Sequence, residues 1–366
     1  MQKIVISGGG TGGHIFPAIA IANALCSLAP STSILFVGAA GKMEMQKVPE
    51  AGFVVEGLPI TGFQRSFTPK NVVSNLKFPF KLLYSLYKAV RIIQKFRPDC
   101  VVGVGGFASG PTLIAAQMLG VPTVIQEQNA VPGAVNKLLS GRIKLAFVAY
   151  NGLEKFFGSE KIRNYGNPVR QNIVESSITK TEASAFFGLD AALPTVLVTG
   201  GSQGALGINK GIAAQLELLK KAGVQLIWQT GTAFEPVAKK CAQELGYVAV
   251  TQPFMQKMDY AYAAADVVVS RAGAGAISEL AVLRKPAILV PMPTAAADHQ
   301  TKNAMELVQK NAAILVKNAD AEHSLVPKTI ELLNDMELQM RMKQNLETFD
   351  KRTAATQIAA DILAMN

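Results

Sequence analysis

Few side chains in this 366-residue sequence can move a proton near neutral pH. Histidine occurs three times, as His14, His299 and His323. His14 ends the run Ser7-Gly8-Gly9-Gly10-Thr11-Gly12-Gly13-His14. An imidazole there can serve as a general base, or only as a structural hydrogen-bonding group. The glycines let backbone N–H groups approach a ligand closely. A helix start beyond them adds about half a positive charge. Thr11 and His14 are the side chains of this turn with chemistry to offer, so the stretch suits an anionic ligand beside a proton acceptor. Gly8-x-Gly10-x-x-Gly13 also fits the letters of a dinucleotide fingerprint. An oxidoreductase expects an acid at the end of the second strand, where Val37-Gly38 stands instead. A tight turn that binds nothing is the plain alternative.

Glu127 is the second candidate base. It lies in Gln126-Glu127-Gln128-Asn129, a row of amides and carboxylate that suits a sugar's hydroxyls or forms a simple exposed loop. A second glycine turn, Gly103-Val104-Gly105-Gly106-Phe107-Ala108-Ser109-Gly110, precedes Pro111, which suits a first helical turn. Two more small-residue stretches occupy the second half: Gly200-Gly201-Ser202-Gln203-Gly204-Ala205, and Ser270-Arg271-Ala272-Gly273-Ala274-Gly275-Ala276-Ile277-Ser278-Glu279. A carboxylate about one turn inside that last helix can accept both hydroxyls of a ribose, or merely complement the helix dipole. A polar cluster of Asp298, His299, Gln300 and Asn303 follows Pro291 and Pro293, with Asp298 suited to an N-cap. No Asp-x-Asp pair or Cys/His cluster occurs. A metal-bridged diphosphate is therefore not expected, nor is any metal or cofactor. Charge on a leaving diphosphate would fall to helix N-termini and a cation such as Arg170.

The elements that must position these groups follow a strand–helix rhythm. Apolar runs at residues 4–6, 34–37, 53–55, 100–104, 121–125 and 146–149 alternate with helical patterns, which predicts a parallel sheet. Residues 15, 18, 19, 22 and 25 recur at helical spacing after the first turn. The rhythm restarts at 195–199 and continues at 224–227, 248–250, 267–269, 287–290 and 313–316. The fold class expected is α/β: two doubly wound domains of Rossmann type facing a central cleft, with ligands beyond the C-terminal strand ends. The boundary falls between 165 and 194, where Gly166-Asn167-Pro168 breaks the pattern.

Composition narrows the function classes. Apolar content of 49% and charged content of 17% fit a large core rather than disorder. Three scattered cysteines fit reduced thiols in a cytosolic protein. The first strand begins at once, without a signal peptide pattern, and no apolar run approaches the roughly 20 residues of a membrane span. The net charge of +10 favours an anionic partner. Nucleic acid is disfavoured because aromatics are few and not interleaved with the basic residues. Residues 57–98 hold eight Lys/Arg and no acid. A helix from Pro79 to Phe96 would gather Lys81, Lys88, Arg91, Lys95 and Tyr84 on one face. Leu83, Leu86, Val90 and Ile93 would pack on the sheet opposite. With Phe63, Phe67, Phe78 and Phe80 nearby, the segment suits an anionic membrane surface, with Phe80, Lys81, Tyr84 and Lys88 in contact. A solvated helix face is the alternative.

Taken together, the sequence resembles the MurG-type glycosyltransferases of glycosyltransferase family 28. The resemblance rests on Gly9-Gly10-Thr11-Gly12-Gly13-His14-Ile15-Phe16-Pro17, Gly105-Gly106-Phe107-Ala108-Ser109-Gly110-Pro111, Glu127-Gln128-Asn129, Gly166-Asn167-Pro168-Val169-Arg170, Gly200-Gly201-Ser202-Gln203-Gly204-Ala205 and Ser278-Glu279. It implies the GT-B fold, with an N-terminal acceptor and membrane-side domain at 1–168. A UDP-sugar domain at 169–344 follows, and a C-terminal helix at about 345–366 packs back on the first. The implied reaction moves N-acetylglucosamine from UDP to the 4-hydroxyl of the muramoyl sugar of undecaprenyl-diphospho-muramoyl-pentapeptide, with inversion. Thr11, Gly12, Gly13, Asn129 and Gln300 would meet the donor sugar, and Arg170 and Ser202 the diphosphate or nucleotide. Met255 would flank the uracil. Ala274, Gly275, Ala276, Ile277 and Ser278 would hold the nucleotide, with Glu279 on its ribose. Gly10, Gly105, Gly106 and Ser109 would receive the acceptor's diphosphate. The implied location is peripheral, on the cytoplasmic face of the bacterial inner membrane, with other wall-building proteins as partners. Three positions depart from the family pattern: Phe107 for Tyr, Gln126 for His and His299 for Gln. The other readings are a different GT-B transferase or UDP-sugar epimerase, and a non-catalytic nucleotide-sugar-binding protein of the membrane surface.

Overall fold

A computed structural model describes residues 2–62 and 75–365. Phe63 and Phe67 of the basic segment lie outside the described residues. The chain divides into two compact units, Met1–Arg170 with Lys351–Asn366, and Gln171–Asp350.

The first unit is built on a seven-stranded sheet. Its strands are β1 (Lys3–Ser7), β2 (Ser33–Ala39), β3 (Val54–Leu58), β4 (Cys100–Gly103), β5 (Thr123–Glu127), β6 (Leu145–Val148) and β7 (Ile162–Asn164). They are ordered β3-β2-β1-β4-β5-β6-β7, and every pairing is parallel. Strands β1, β4 and β5 read as apolar runs because helices cover both faces of the sheet. On one face Ile4, Ile6, Val102 and Phe147 meet Ile15, Ile21 and Leu25 of the helix Gly12–Leu28, together with Ile358 and Ile362 of the helix Ala354–Leu363. On the other, Val5, Val101 and Ile125 meet Leu113 and the buried Ala89, Ile92 and Ile93. Strand β7 carries no apolar run. It is a three-residue edge strand, Ile-Arg-Asn, with Arg163 half-buried and Asn164 exposed, so the pattern of residues could not show it.

The basic helix spans Phe78–Phe96. Its buried line is Ser85, Ala89, Ile92 and Ile93, with Leu82, Leu86 and Val90 partly covered. Leu83 does not pack on the sheet as its spacing predicted and is 65% exposed. The small Ser85 and Ala89 let the helix approach closely on their own side, which rotates Leu83 outward. It joins Leu76, Phe80, Tyr84 and Tyr87 in an exposed apolar stripe.

The second unit holds six parallel strands in the order β10-β9-β8-β11-β12-β13. These are β8 (Thr195–Thr199), β9 (Gln225–Gln229), β10 (Ala249–Gln252), β11 (Val267–Ser270), β12 (Ala287–Leu289) and β13 (Ile314–Leu315). Its core is centred on Val196, Val198, Leu226, Val267 and the fully buried Trp228. The Trp228 indole donates to Asn209 Oδ1 at 3.0 Å, and Asn209 Nδ2 donates to the Thr230 carbonyl at 2.7 Å.

Candidate functional site

Both sheets reverse their strand order once, and ligands of such sheets gather at that point. In the first unit the reversal lies between β1 and β4, in the second between β8 and β11. The four glycine-rich turns of the sequence leave the C-terminal ends of these four strands.

The helices that follow those turns share a feature. Gly12–Leu28, Ser109–Met118, Leu206–Ala214 and Ala274–Leu283 begin at the N-cap residues Thr11, Ala108, Ala205 and Gly273. None of these caps accepts a helix N–H with its side chain, and Ala108, Ala205 and Gly273 have no polar side-chain atom to do so. Side-chain caps are uncommon elsewhere in the chain too: among the described helices, Thr179 in a capping box with Glu182 and Asp335 before Met336–Leu346 supply them. A helix start that its own cap leaves open presents N–H groups and a positive dipole end to an anion.

In the first unit the Thr11 hydroxyl, which could have capped the helix, meets His14 Nδ1 at 3.2 Å. The His14 ring lies against the second turn, since a Cβ at Gly105 would stand 3.0 Å from Cδ2 and 3.1 Å from Nε2. The two turns touch backbone to backbone: a Cβ at Gly106 would be 2.3 Å from the Gly9 carbonyl. With φ at +82°, Gly106 is also in the left-handed region that favours glycine. Ser109 spends its hydroxyl on the Gly106 carbonyl, at 2.9 Å. The Gly10 N–H, expected to meet a diphosphate, donates to Glu44 Oε2 at 3.0 Å and Oε1 at 3.2 Å. The carboxylate already occupies that donor and repels a second anion. Phe107 stacks over Gly10, where a Cβ would sit 2.9 Å from its ring. The guanidinium of Arg170 sits 4.9 Å from the centre of the Phe16 ring, which fixes the cation beside Gly12.

Glu127 is buried, and its carboxylate accepts four N–H donors. Asn129 N and Nδ2 reach Oε1 at 3.0 and 3.2 Å, and Gly133 N and Asn136 Nδ2 reach Oε2 at 2.9 and 2.8 Å. Gln126, Gln128 and Asn167 form a buried amide chain beside it. Gln126 Nε2 donates to Asn167 Oδ1 at 3.0 Å, Asn167 Nδ2 to the Gln128 carbonyl at 3.1 Å, and Gln128 Nε2 to the Val104 carbonyl at 2.9 Å. The row at the end of β5 is thus mostly a buried clamp joining the second turn to residues 166–168, rather than an exposed loop.

In the second unit Glu279 lies on the helix Ala274–Leu283, and its Oε2 accepts the hydroxyl of the buried Tyr262 at 2.9 Å. Ala274 to Ser278 form the start of that helix, with Ser278 bonded back to the Ala274 carbonyl at 2.9 Å. Ser202 is exposed at the tip of the third turn. That turn is anchored by Gln229 Nε2, which donates to the Gly201 carbonyl at 2.7 Å. The other end of Gln229 accepts the N–H of the buried Met255 at 2.9 Å, tying Met255 to the same turn. Gln300 Oε1 accepts the Met292 N–H at 2.9 Å, and Asp298 accepts the Thr301 hydroxyl at 2.7 Å rather than a helix N–H. Burial of the Arg271 guanidinium lowers its pKa, and it donates to the carbonyls of Val290 and Pro291. Sequence reasoning missed Glu44, Phe16 and Tyr262. Tyr262 reads as an ordinary core aromatic, and Glu44 lies in a polar segment.

On the basic helix Phe80 and Tyr84 are exposed. Lys88 is turned inward instead, donating to the Gly57 carbonyl at 2.8 Å and lying 4.0 Å from Glu56. Among the described residues no helix is long and apolar enough to cross a membrane, and no group of three or more His, Cys, Asp or Glu could hold a metal ion.

Comparison with known proteins gives one picture. The profile of the glycosyltransferase family 28 N-terminal domain matches residues 4–148, and that of the family 28 C-terminal domain matches 195–358. A UDP-N-acetylglucosamine--N-acetylmuramyl-(pentapeptide) pyrophosphoryl-undecaprenol N-acetylglucosamine transferase of Bacteroides fragilis is 49% identical, over 99% of this chain and 95% of the relative. A protein of the same name from Cytophaga hutchinsonii is 49% identical over 97% and 95%. The crystal structure of Acinetobacter baumannii MurG superposes with a TM-score of 0.76 at 25% identity, covering all of both chains.

Proposed function

This chain belongs to glycosyltransferase family 28, and from that membership we infer its reaction. It transfers N-acetylglucosamine from its UDP carrier to the 4-hydroxyl of the muramoyl sugar of undecaprenyl-diphospho-muramoyl-pentapeptide, inverting the anomeric carbon. The observation that carries the mechanism is His14, held by Thr11 at Nδ1 with its ring against the second glycine turn. Nε2 takes the proton of the acceptor hydroxyl. The hydroxyl oxygen bonds to C1 of the donor sugar on the face opposite the diphosphate, and the C1–O bond to UDP breaks. Glu127, with four N–H donors on its carboxylate, holds the loop around Asn129, and the role of base is assigned to His14.

The donor's nucleotide belongs to the second unit. Glu279 binds the ribose, Met255 flanks the uracil, and Ser202 with the open start of Ala274–Leu283 takes the diphosphate. Arg170 adds a cation for the charge that grows as UDP leaves. Thr11, Gly12, Gly13, Asn129 and Gln300 meet the donor sugar. The acceptor's diphosphate rests on Gly105 and Gly106 rather than Gly10. The protein sits peripherally on the cytoplasmic face of the bacterial membrane. Phe80, Leu83, Tyr84 and Tyr87 enter the interface beside Lys81, which attracts anionic lipid.

UDP release from UDP-N-acetylglucosamine, with and without a short-chain lipid-linked muramoyl-pentapeptide, tests this reading. Acceptor-dependent release should fall about 100- to 10,000-fold in His14→Ala while UDP binding holds. A fully active His14→Ala moves the base elsewhere. Donor binding without any release by the wild type defeats the transferase reading and leaves a binding protein.

A further inference from the structure

We propose that Glu44 is a positioning residue of the reaction: its buried carboxylate sets the shape of the first glycine turn, and through that turn the placement of Thr11 and His14. The proposal rests on the transferase reading above for its catalytic consequence, but its structural half stands alone.

Glu44 begins the short helix Glu44–Glu50 after β2, where an acid commonly serves only its own helix dipole. Here the side chain reaches back to the C-terminal ends of β1 and β2 and is 2% exposed. Oε1 accepts the N–H of Ala39, at the end of β2, at 2.8 Å. Both oxygens accept the N–H of Gly10 in the first turn. One carboxylate thus pins the turn after β1 to the end of the neighbouring strand. The adjoining cavity is walled by Ile15, Ala18, Phe36, Val48 and Val55. In such apolar surroundings a carboxylate is costly unless its donors stay in place, so the geometry is enforced from both sides.

Two glycines make room for it. A Cβ at Gly9 would lie 2.0 Å from Glu44 Oε1, and one at Gly38 would lie 2.4 Å from Glu44 Cγ. At both positions the three nearest atoms all belong to Glu44. Gly38, near the end of β2, where the dinucleotide pattern wants an acid, is thereby explained. The acid comes six residues later and points at backbone, not at a ribose.

The test compares Glu44→Ala, Glu44→Gln, Gly38→Ala and the double variant Gly38→Ala with Glu44→Ala. Hydrogen exchange is measured over residues 7–15, and kcat and KM are measured per folded molecule. Glu44→Ala should speed exchange over 7–15 and lower kcat about 10- to 100-fold, as displacement of a base by an ångström does. KM for UDP-N-acetylglucosamine should stay within about twofold. Glu44→Gln, whose carbonyl can still accept one N–H, should recover part of kcat. Gly38→Ala acts by displacing the carboxylate, so the double variant should be no worse than Glu44→Ala alone. Unchanged exchange over 7–15 in Glu44→Ala overturns the proposal, as does a kcat within twofold of wild type. Additive losses in the double variant overturn the link to Gly38. A wild type that releases no UDP defeats the transferase reading instead, and exchange over 7–15 then decides the hold of Glu44 on the turn by itself.

Discussion

Replacing Tyr262 by phenylalanine removes one hydroxyl from the second unit and nothing else of its packing. That hydroxyl donates to Glu279 Oε2 at 2.9 Å from a side chain that is 1% exposed. A hydrogen bond to a charged acceptor is worth about 1.5–3 kcal/mol. Most of that is lost equally in the free and the bound protein and appears as reduced stability. The part that reaches affinity is the orientation of the carboxylate toward the ribose contact proposed for it. Taking that as about 1 kcal/mol, Kd for UDP rises about fivefold. Calorimetric titration of UDP and 2′-deoxy-UDP into wild type, Tyr262→Phe and Glu279→Ala separates the contributions. The wild type should prefer UDP, Glu279→Ala should lose the preference, and Tyr262→Phe should fall between them. Tyr262→Phe with wild-type affinity and full preference refutes the positioning role. Full preference retained in Glu279→Ala refutes the ribose contact itself.

Three further outcomes are expected. Gly106→Ala places a methyl 2.3 Å from the Gly9 carbonyl at a φ of +82°; acceptor-dependent UDP release should fall about 100-fold, while UDP binding, measured by calorimetry, stays unchanged. Phe80→Ser with Leu83→Ser removes two exposed side chains, each worth about 1.5–3 kcal/mol when buried; affinity for anionic vesicles, read by co-sedimentation, should fall at least about 100-fold with no drop in thermal midpoint. Burial lowers the Lys285 pKa to about 8, despite nearby Asp266, while its ammonium donates to the Ala265 carbonyl. Below about pH 8 both folded and unfolded states carry this charge. Between about 8 and 10.5 the folded state gives up its proton first, so the wild type should gain about 1–3 kcal/mol over that window relative to Lys285→Met. Urea unfolding of both proteins at pH 7 and pH 10 measures the difference.

What the sequence made legible, and what it hid, follows from how each contact is made. Strand β8 reads directly because Thr195–Thr199 is buried throughout and ends at a glycine. The parallel two-unit α/β architecture is legible for the same reason, since its central strands are continuous apolar runs. Strand β3 was read as 53–55 but spans Val54–Leu58, because Glu56 and Gly57 interrupt its apolar character. The glycine turns announce themselves, whereas their supports do not. Glu44 acts on the backbone N–H groups of Ala39 and Gly10, which have no residue signature. Gln126 and Gln128 look like ligand-facing polar groups, yet their partners are an amide and a carbonyl from distant segments. Leu83 shows the limit of helical spacing, which finds an apolar position without saying which of two apolar faces meets the protein.

The first unit is assembled from two separated stretches of chain. Ile358, Ala359 and Ile362 complete the core that Ile4, Ile15 and Val102 begin, and Tyr165 donates its hydroxyl to Asp361 at 2.9 Å. These late residues emerge from the ribosome only after the whole of Gln171–Asp350 has been made. The second unit is contiguous in sequence, whereas the face of the first sheet covered by the helix of His14 is completed only by the closing helix. A released chain truncated after Asp350 should therefore keep the core of the second unit and leave that of the first open. Activity should then fail in the truncated chain although every candidate site residue is still present.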